Sequence, residues 1–288
     1  MEASVSVVIP TLNAEKDISK LLDLLSLQTV VPEEIIVIDS QSVDRTVALA
    51  KACPLVQVIE IDRFDFDHGG TRNVGYRRAQ GEFVLFMTQD AIPADAHMIE
   101  NLLKPFEDES VAIVSGRQLP KEDARPFERL VREYNYSDKS NKRTKDDIGR
   151  LGIKAYFSSD VCCLYRHSAL DLIGGIPAPC STNEDMLAAA RCLKHGLKVC
   201  YEADARVYHS HNLTVRQQYE RNKCVGAFLS EHADELNVPS EVGEGKKMVA
   251  EVMLTLIHEG KLVEVFAFGF DCVARLLGNR AGRMMGRK

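Results

Sequence analysis

The chain has no excess of positive charge: its formal net charge is −6 at pH 7 and its pI is near 5.8. A general nucleic-acid binder needs a broad basic field to displace counterions, so that class is excluded as the main function. None of the eight cysteines forms a C-x-x-C pair, which removes zinc ribbons and thiol redox motifs. Cysteines scattered through apolar runs read as reduced core residues and fit a cytoplasmic protein. No apolar run reaches the roughly 18 residues of a membrane span. Met1 leads into the strand pattern VSVVIP, so no cleaved leader is expected. Any membrane contact would then be peripheral, at the inner face. Two nucleotide fingerprints are missing as well. There is no G-x-G-x-x-G, and after Gly70 and Gly75 stand Tyr76 and Arg77, where a P-loop requires Lys and Ser or Thr.

What is present is material for a large core, 45% hydrophobic residues in a chain of 288. The run FVLFM, residues 83–87, passes straight into Thr88, Gln89 and Asp90. It reads as a strand buried on both faces, with a carboxylate where it leaves the core. Residues 5–9 form an earlier strand stopped by Pro10, followed by Ile18, Leu21, Leu22 and Leu25 at helical spacing. Residues 35–38 repeat the strand pattern and end in Asp39, a helix is expected from about 43 to 52, and residues 56–61 form the next strand. Alternating strands and helices predict parallel pairing with right-handed crossovers. Ligands of open α/β sheets sit at the carboxyl edge, so Asp39 and Asp90 would share a crevice if their strands are neighbours. Each also has a plainer reading, as a helix cap and as a turn residue.

In FDFDHGGTRNVG the glycines permit close backbone approach, and Arg72 and Asn73 offer donors ahead of a helix, which suits a diphosphate; an ordinary tight turn is the alternative. A helix over 94–106 and a strand over 111–114 follow. Residues 128–150 are dense in charge and without apolar periodicity, and predict a mobile loop, either a solvated linker or a flap over substrate. After a strand at 161–165 and the turn GGIP, Glu184 and Asp185 open a helix that stops at Gly196. Short strands at 199–201 and 205–208 lead to His209. From 213 onward the chain reads as mostly helical, interrupted at EGK. Its last fifteen residues hold five basic and no acidic side chains, which suits either an anionic lipid surface or packing on the chain's own helices.

The order of these features resembles the family 2 inverting glycosyltransferases over roughly residues 4–212. VSVVIPTLN is similar to the family's first strand and nucleotide loop, EIIVIDSQSVDRT to its second strand, GGTRNVG to its Gly-Arg-Asn element, LFMTQDA to its metal-binding D-x-D, NEDM to its acidic pair, and VYHSH to its late histidine. The resemblance implies a GT-A fold: a mostly parallel sheet flanked by helices over 1–212, with a helical extension over 213–288. It implies that Pro10, Thr11, Asn13 and Asp39 hold the nucleotide. Gly70, Arg72, Asn73, Gln89 and Glu184 would complete the nucleotide-sugar site. Asp90 and His209 would hold Mg²⁺ or Mn²⁺, and Asp185 would be the catalytic base. Thr88 departs from the pattern, standing at the first acid of D-x-D; a hydroxyl or a water would take that place.

FDFDHGGTRN and TQDAIP together look most like bacterial rhamnosyltransferases. The expected donor is dTDP-rhamnose, with a UDP-sugar open, and the expected acceptor a hydroxyl of a growing cell-surface polysaccharide or a lipid-linked glycan. Two other readings stand beside this one. A nucleotidyltransferase would carry a glycine-rich basic loop where this chain has TLNAEKD. A sugar-nucleotide-binding protein without turnover would account for Thr88.

Overall fold

The apolar runs become the centre of one sheet. In the computed structural model, which describes residues 3–236 and 242–286, β1 (Val5–Thr11), β2 (Glu34–Asp39), β3 (Val56–Glu60) and β4 (Phe83–Met87) lie in the order β3-β2-β1-β4. All three pairings are parallel. The register sets Thr11 beside Asp39, so the ends of β1 and β2 are level. Between them run α1 (Ile18–Ser26), which buries Ile18, Leu21, Leu22 and Leu25 as the spacing predicts, and α2 (Thr46–Lys51). α2 starts later than expected because the Asp44 carboxylate accepts from the Thr46 amide at 2.9 Å and holds residues 43–45 in a turn.

α3 (His68–Tyr76) precedes β4, and β5 (Ile92–Pro93) and α4 (Met98–Leu103) follow it. The other half of the sheet is antiparallel. β8 (Cys162–Arg166) lies between β4 and β6 (Val111–Leu119), and β9 (Lys198–Tyr208) carries β5 and β7 (Asn141–Arg143). The parallel character expected of the sheet thus belongs to its first four strands. α7 (His167–Ile173) and α8 (Glu184–Lys194) pack in this half, and α8 is followed by Gly196 at φ +78°, the left-handed stop expected there.

Two expectations are corrected. Residues 128–150 are not a mobile loop: they hold α5 (Pro126–Asn135), β7 and α6 (Ile148–Leu151). Their charges are used in place, Lys142 against Asp108 at 2.8 Å and a buried Arg143 donating to the carbonyls of Lys154 and Phe157. The two short strands at 199–201 and 205–208 are one, because Ala203, Ala205 and Val207 alternate inward while Asp204, Arg206 and Tyr208 face out.

The chain divides into two compact units: residues 1–118, 138–147 and 154–209, which include nearly all of the sheet, and residues 119–137, 148–153 and 210–288. The second is helical, as expected, with α5, α6, α9 (Val215–Glu231), α10 (Ala233–Leu236), α11 (Val242–His258) and α12 (Leu262–Met285). Phe127 and Val131 of α5 form a core with Val252, Leu256 and Phe268. α9 and α12 meet backbone to backbone. A Cβ on Gly278 would stand 2.3 Å from the Tyr219 carbonyl oxygen, and one on Gly282 only 1.9 Å from that of Lys223. Among the described residues, no helix is long and apolar enough to cross a membrane.

Candidate active site

The ends of β1 and β2 border a cavity of about 320 Å³. Of the residues expected at a nucleotide-sugar site, Pro10, Thr11, Arg72 and Gln89 line it; Leu12, Ser40, Arg63, Phe66, His68 and Thr88 complete the wall. Asp39 stands behind that wall, 1% exposed, and accepts from the Thr11 hydroxyl at 2.9 Å and from the Ser42 amide and hydroxyl at 2.8 and 2.6 Å. Asn13 takes a left-handed φ of +51°. Its amide donates to the Ser42 hydroxyl at 2.8 Å while its side-chain carbonyl accepts from the Val43 amide at 3.0 Å. Gln89 spans the gap between strands: Oε1 accepts from the Leu12 amide at 2.7 Å and Nε2 donates to the Leu12 carbonyl at 3.2 Å. Its side chain braces the β1 loop with both polar ends. The Ser40 hydroxyl is buried without a hydrogen-bond partner among the described residues, and so is that of Thr88. Two orphaned hydroxyls in one cavity wall mark where a polar ligand would be received.

At the start of α3, Asp67 caps the helix by accepting from the Gly70 amide at 2.6 Å and also accepts from the Cys180 amide at 2.7 Å. The demanding glycine is Gly69, where a Cβ would sit 1.9 Å from the Pro177 carbonyl oxygen. Asn73 faces the same turn and spends its whole amide there, donating to the Ile176 carbonyl at 2.7 Å and accepting from the Ile176 amide at 2.8 Å. Helix α3 is thereby stitched to the GGIP turn.

Arg72 reaches from this helix into a buried cluster. It is 4% exposed, with Nη1 2.8 Å from Glu184 and Nε 3.1 Å from Asp160, both carboxylates themselves buried. Burial opposes its charge, but Glu184 and Asp160 outweigh that and hold the guanidinium above its ordinary pKa. Asp160 also accepts from the Tyr165 hydroxyl at 2.8 Å, and its own amide donates to Asp185 at 3.2 Å. Burial pushes the Asp160 carboxyl up to about 6 against the pull of Arg72. Asp185, in the first turn of α8, has its other oxygen on the Met186 amide at 2.7 Å. Burial first, then the Glu184 and Asp160 charges, hold it well above the usual carboxylate range. Three carboxylates around one guanidinium leave an excess of negative charge, which favours keeping a proton among them. His68, on the cavity side, is pushed below its ordinary pKa chiefly by burial.

The link between this cluster and the end of β4 is short. The Thr88 amide donates to the carbonyl of Val161, the residue after Asp160. Beyond Thr88, the Asp90 carboxylate lies 3.6 Å from Nε2 of His209. His209 Nδ1 is 3.0 Å from the Gln118 side-chain carbonyl, and the Gln118 amide nitrogen is 2.8 Å from the Ser159 hydroxyl. Because an amide carbonyl can only accept, Nδ1 donates to Gln118, and Nε2 is the nitrogen turned toward Asp90. A carboxylate oxygen and an imidazole nitrogen facing each other suit a divalent cation between them, with Gln118 fixing the ring as outer partners of metal-bound histidines do. Asp90 and His209 therefore fit the expected Mg²⁺ or Mn²⁺.

Asp160, Gln118 and His68 were not among the expected residues. Asp160 and Gln118 lie in stretches, SSD and GRQL, that carry no motif of their own. His68 had a visible signal, since it directly precedes Gly69.

The family model for glycosyl transferase family 2 matches residues 6–174. The chain is 42% identical over 225 residues to the O-antigen chain rhamnosyltransferase RfbN of Salmonella typhimurium, covering 78% of this chain and 72% of that protein. It is 39% identical over 227 residues to the O-antigen chain rhamnosyltransferase WbaN of Salmonella anatum, with the same coverage of 78% and 72%. Among solved structures it resembles the mannosyltransferase PcManGT from Pyrobaculum calidifontis, which was solved with GDP-Man and Mn²⁺. The TM-score is 0.66 at 17% identity, over 100% of this chain and 88% of that one. This likeness bears out the GT-A fold and its helical C-terminal region.

Proposed function

The chain belongs to glycosyl transferase family 2, and on that premise we propose that it moves L-rhamnose, with inversion, from a nucleoside diphosphate donor to a hydroxyl of a growing cell-surface polysaccharide or its lipid-linked precursor. The favoured donor is dTDP-rhamnose, a reading supported by the two Salmonella rhamnosyltransferases and by the FDFDHGGTRN and TQDAIP segments. The observation that carries the reading is the continuity of the site. One cavity wall holds Thr11, Arg72 and Gln89, and Arg72 is ion-paired to Glu184, the neighbour of Asp185.

In this reading the nucleotide lies against Pro10 and Thr11, with Asp39 and Asn13 shaping the loop that receives it. The diphosphate faces the Arg72 charge and the α3 start at Gly70. Asn73 holds the GGIP turn rather than touching the donor, Gln89 lines the cavity while bracing the β1 loop, and Glu184 keeps Arg72 aimed. Asp90 and His209 would hold Mg²⁺ or Mn²⁺, which neutralises charge gathering on the leaving diphosphate. Asp185 takes the proton of the acceptor hydroxyl as it attacks the anomeric carbon from the face opposite the diphosphate. All eight cysteines are free thiols, in keeping with work in the cytoplasm.

A thermal-shift panel of dTDP-, UDP- and GDP-sugars with Mn²⁺ tests the donor. At 100 times its dissociation constant a ligand stabilises by about 2.7 kcal/mol. dTDP-rhamnose is expected to give the largest shift, and EDTA or Asp90→Ala to abolish its metal-dependent part. With acceptor present, dTDP should be released. Release of pyrophosphate would point to nucleotidyl transfer instead, and binding without turnover to a non-catalytic protein.

A further inference from the structure

Helix α12 turns its glycines to α9 and Phe268 to α5 and α11, and among the described residues a third face is left exposed. Ten of its residues are exposed: Arg280 and nine large apolar side chains, among them Val263 at 80%, Phe266 at 72% and Met284 at 75%. Its two acids, Glu264 and Asp271, are turned away from this face, paired with Arg125 and Arg275. Nine such side chains, each more than half exposed, present on the order of 1,000 Å². That exceeds the roughly 300–600 Å² of the largest patch on a typical monomer, and it matches the ~800 Å² each partner gives to a stable interface.

The spacing of this face fits the flank of a second helix. Val263, Phe266, Phe270, Val273, Leu277, Arg280 and Met284 follow one another in alternating steps of three and four, the repeat with which one helix seats against another. An amphipathic helix lying on a lipid surface shows the same stripe, so it is the charge of the face that separates the two. A lipid surface draws on clusters of about 4–8 basic residues and on interfacial tryptophan, whereas among the described residues this face shows one exposed cation, and the chain has no tryptophan. Parallel copies would stack Arg280 on Arg280. An antiparallel pair with its two-fold axis at Val273 sets each Arg280 across from the other copy's Phe266, a cation–π match, and each Val263 near the other's Met284.

We propose that the protein is a homodimer through an antiparallel pairing of α12, with Val273 at the axis and Arg280 seated on Phe266 of the second copy. The pairing stands apart from the donor assignment, and its test uses no substrate.

Light scattering after size exclusion, on the full chain without detergent, should give twice the 32.1 kDa of one chain. The double variant Phe270→Glu, Leu277→Glu should give a monomer with an unchanged circular dichroism spectrum, since both side chains are exposed. In a background with Cys224 and Cys272 replaced by serine, Val273→Cys should form a disulfide-linked dimer under a mild oxidant that the background itself does not. Met284→Cys should not, because its two copies would lie about 33 Å apart along the helices. A monomer at every concentration overturns the proposal, as does a dimer that survives the double variant. Equal cross-linking at positions 273 and 284 overturns the antiparallel register. Sedimentation of a monomer with phosphatidylglycerol–phosphatidylethanolamine vesicles, lost in the double variant, would assign the face to lipid instead.

Discussion

At the scale of single residues, the chemistry proposed for Asp185 depends on the groups that crowd it. Asp185→Asn keeps an acceptor for one of the two backbone amides and removes the base. Transfer should fall by about 10² to 10⁴ while calorimetry shows nucleotide binding nearly unchanged; equal losses of both would assign Asp185 to donor binding. The base must be unprotonated to act, and its pKa is raised, so transfer should climb with pH through a limb well above the ordinary carboxylate value of about 3.9. Asp160→Asn removes one of the neighbouring charges that raise it and should move that limb to lower pH in kcat–pH profiles. For the metal, Gln118→Leu leaves Asp90 and His209 in place but frees the ring to turn. Mn²⁺ affinity, read by titration without substrate, should weaken about 10- to 100-fold. Neither Gln118 nor Asp160 was legible beforehand. A glutamine inside a strand and an aspartate after two serines acquire meaning only from what folds against them.

At the scale of elements, legibility followed how self-contained each signal was. The strands at 5–9, 35–38 and 83–87 announce themselves through unbroken apolar runs, and α1 through its four-residue stripe. β9 looked like two pieces because Glu202 and Asp204 interrupt its hydrophobicity, although their outward positions keep the two-residue alternation intact. The stretch 128–150 looked like a loop because its charges find partners far along the chain, Lys142 at Asp108 and Arg143 at Phe157. The α3 start joins both kinds of information: its glycines are visible in the sequence, but the reason for Gly69 is the Pro177 carbonyl across from it. Gly69→Ala should therefore cost about 1–3 kcal/mol in chemical denaturation. It should also weaken donor binding in the protein that remains folded, because Arg72 is carried on the same helix. An unchanged denaturation midpoint would mean that the GGIP turn yields.

At the scale of the whole molecule, the two units have separate cores but no separate stretches of chain. The backbone passes from one to the other after residues 118, 137, 147, 153 and 209. A stop codon after His209 would keep all the expected site residues and yet leave α5 behind, with Phe127 and Val131 stripped of Val252, Leu256 and Phe268. Such a fragment should appear in the insoluble fraction on expression, whereas a soluble fragment that still binds nucleotide would show that the helices are dispensable. The interleaving carries an evolutionary corollary. A single crossover after His209 would hand α5 a foreign set of C-terminal helices, so Phe127 and Val131 restrict which helices can be exchanged for α9 to α12.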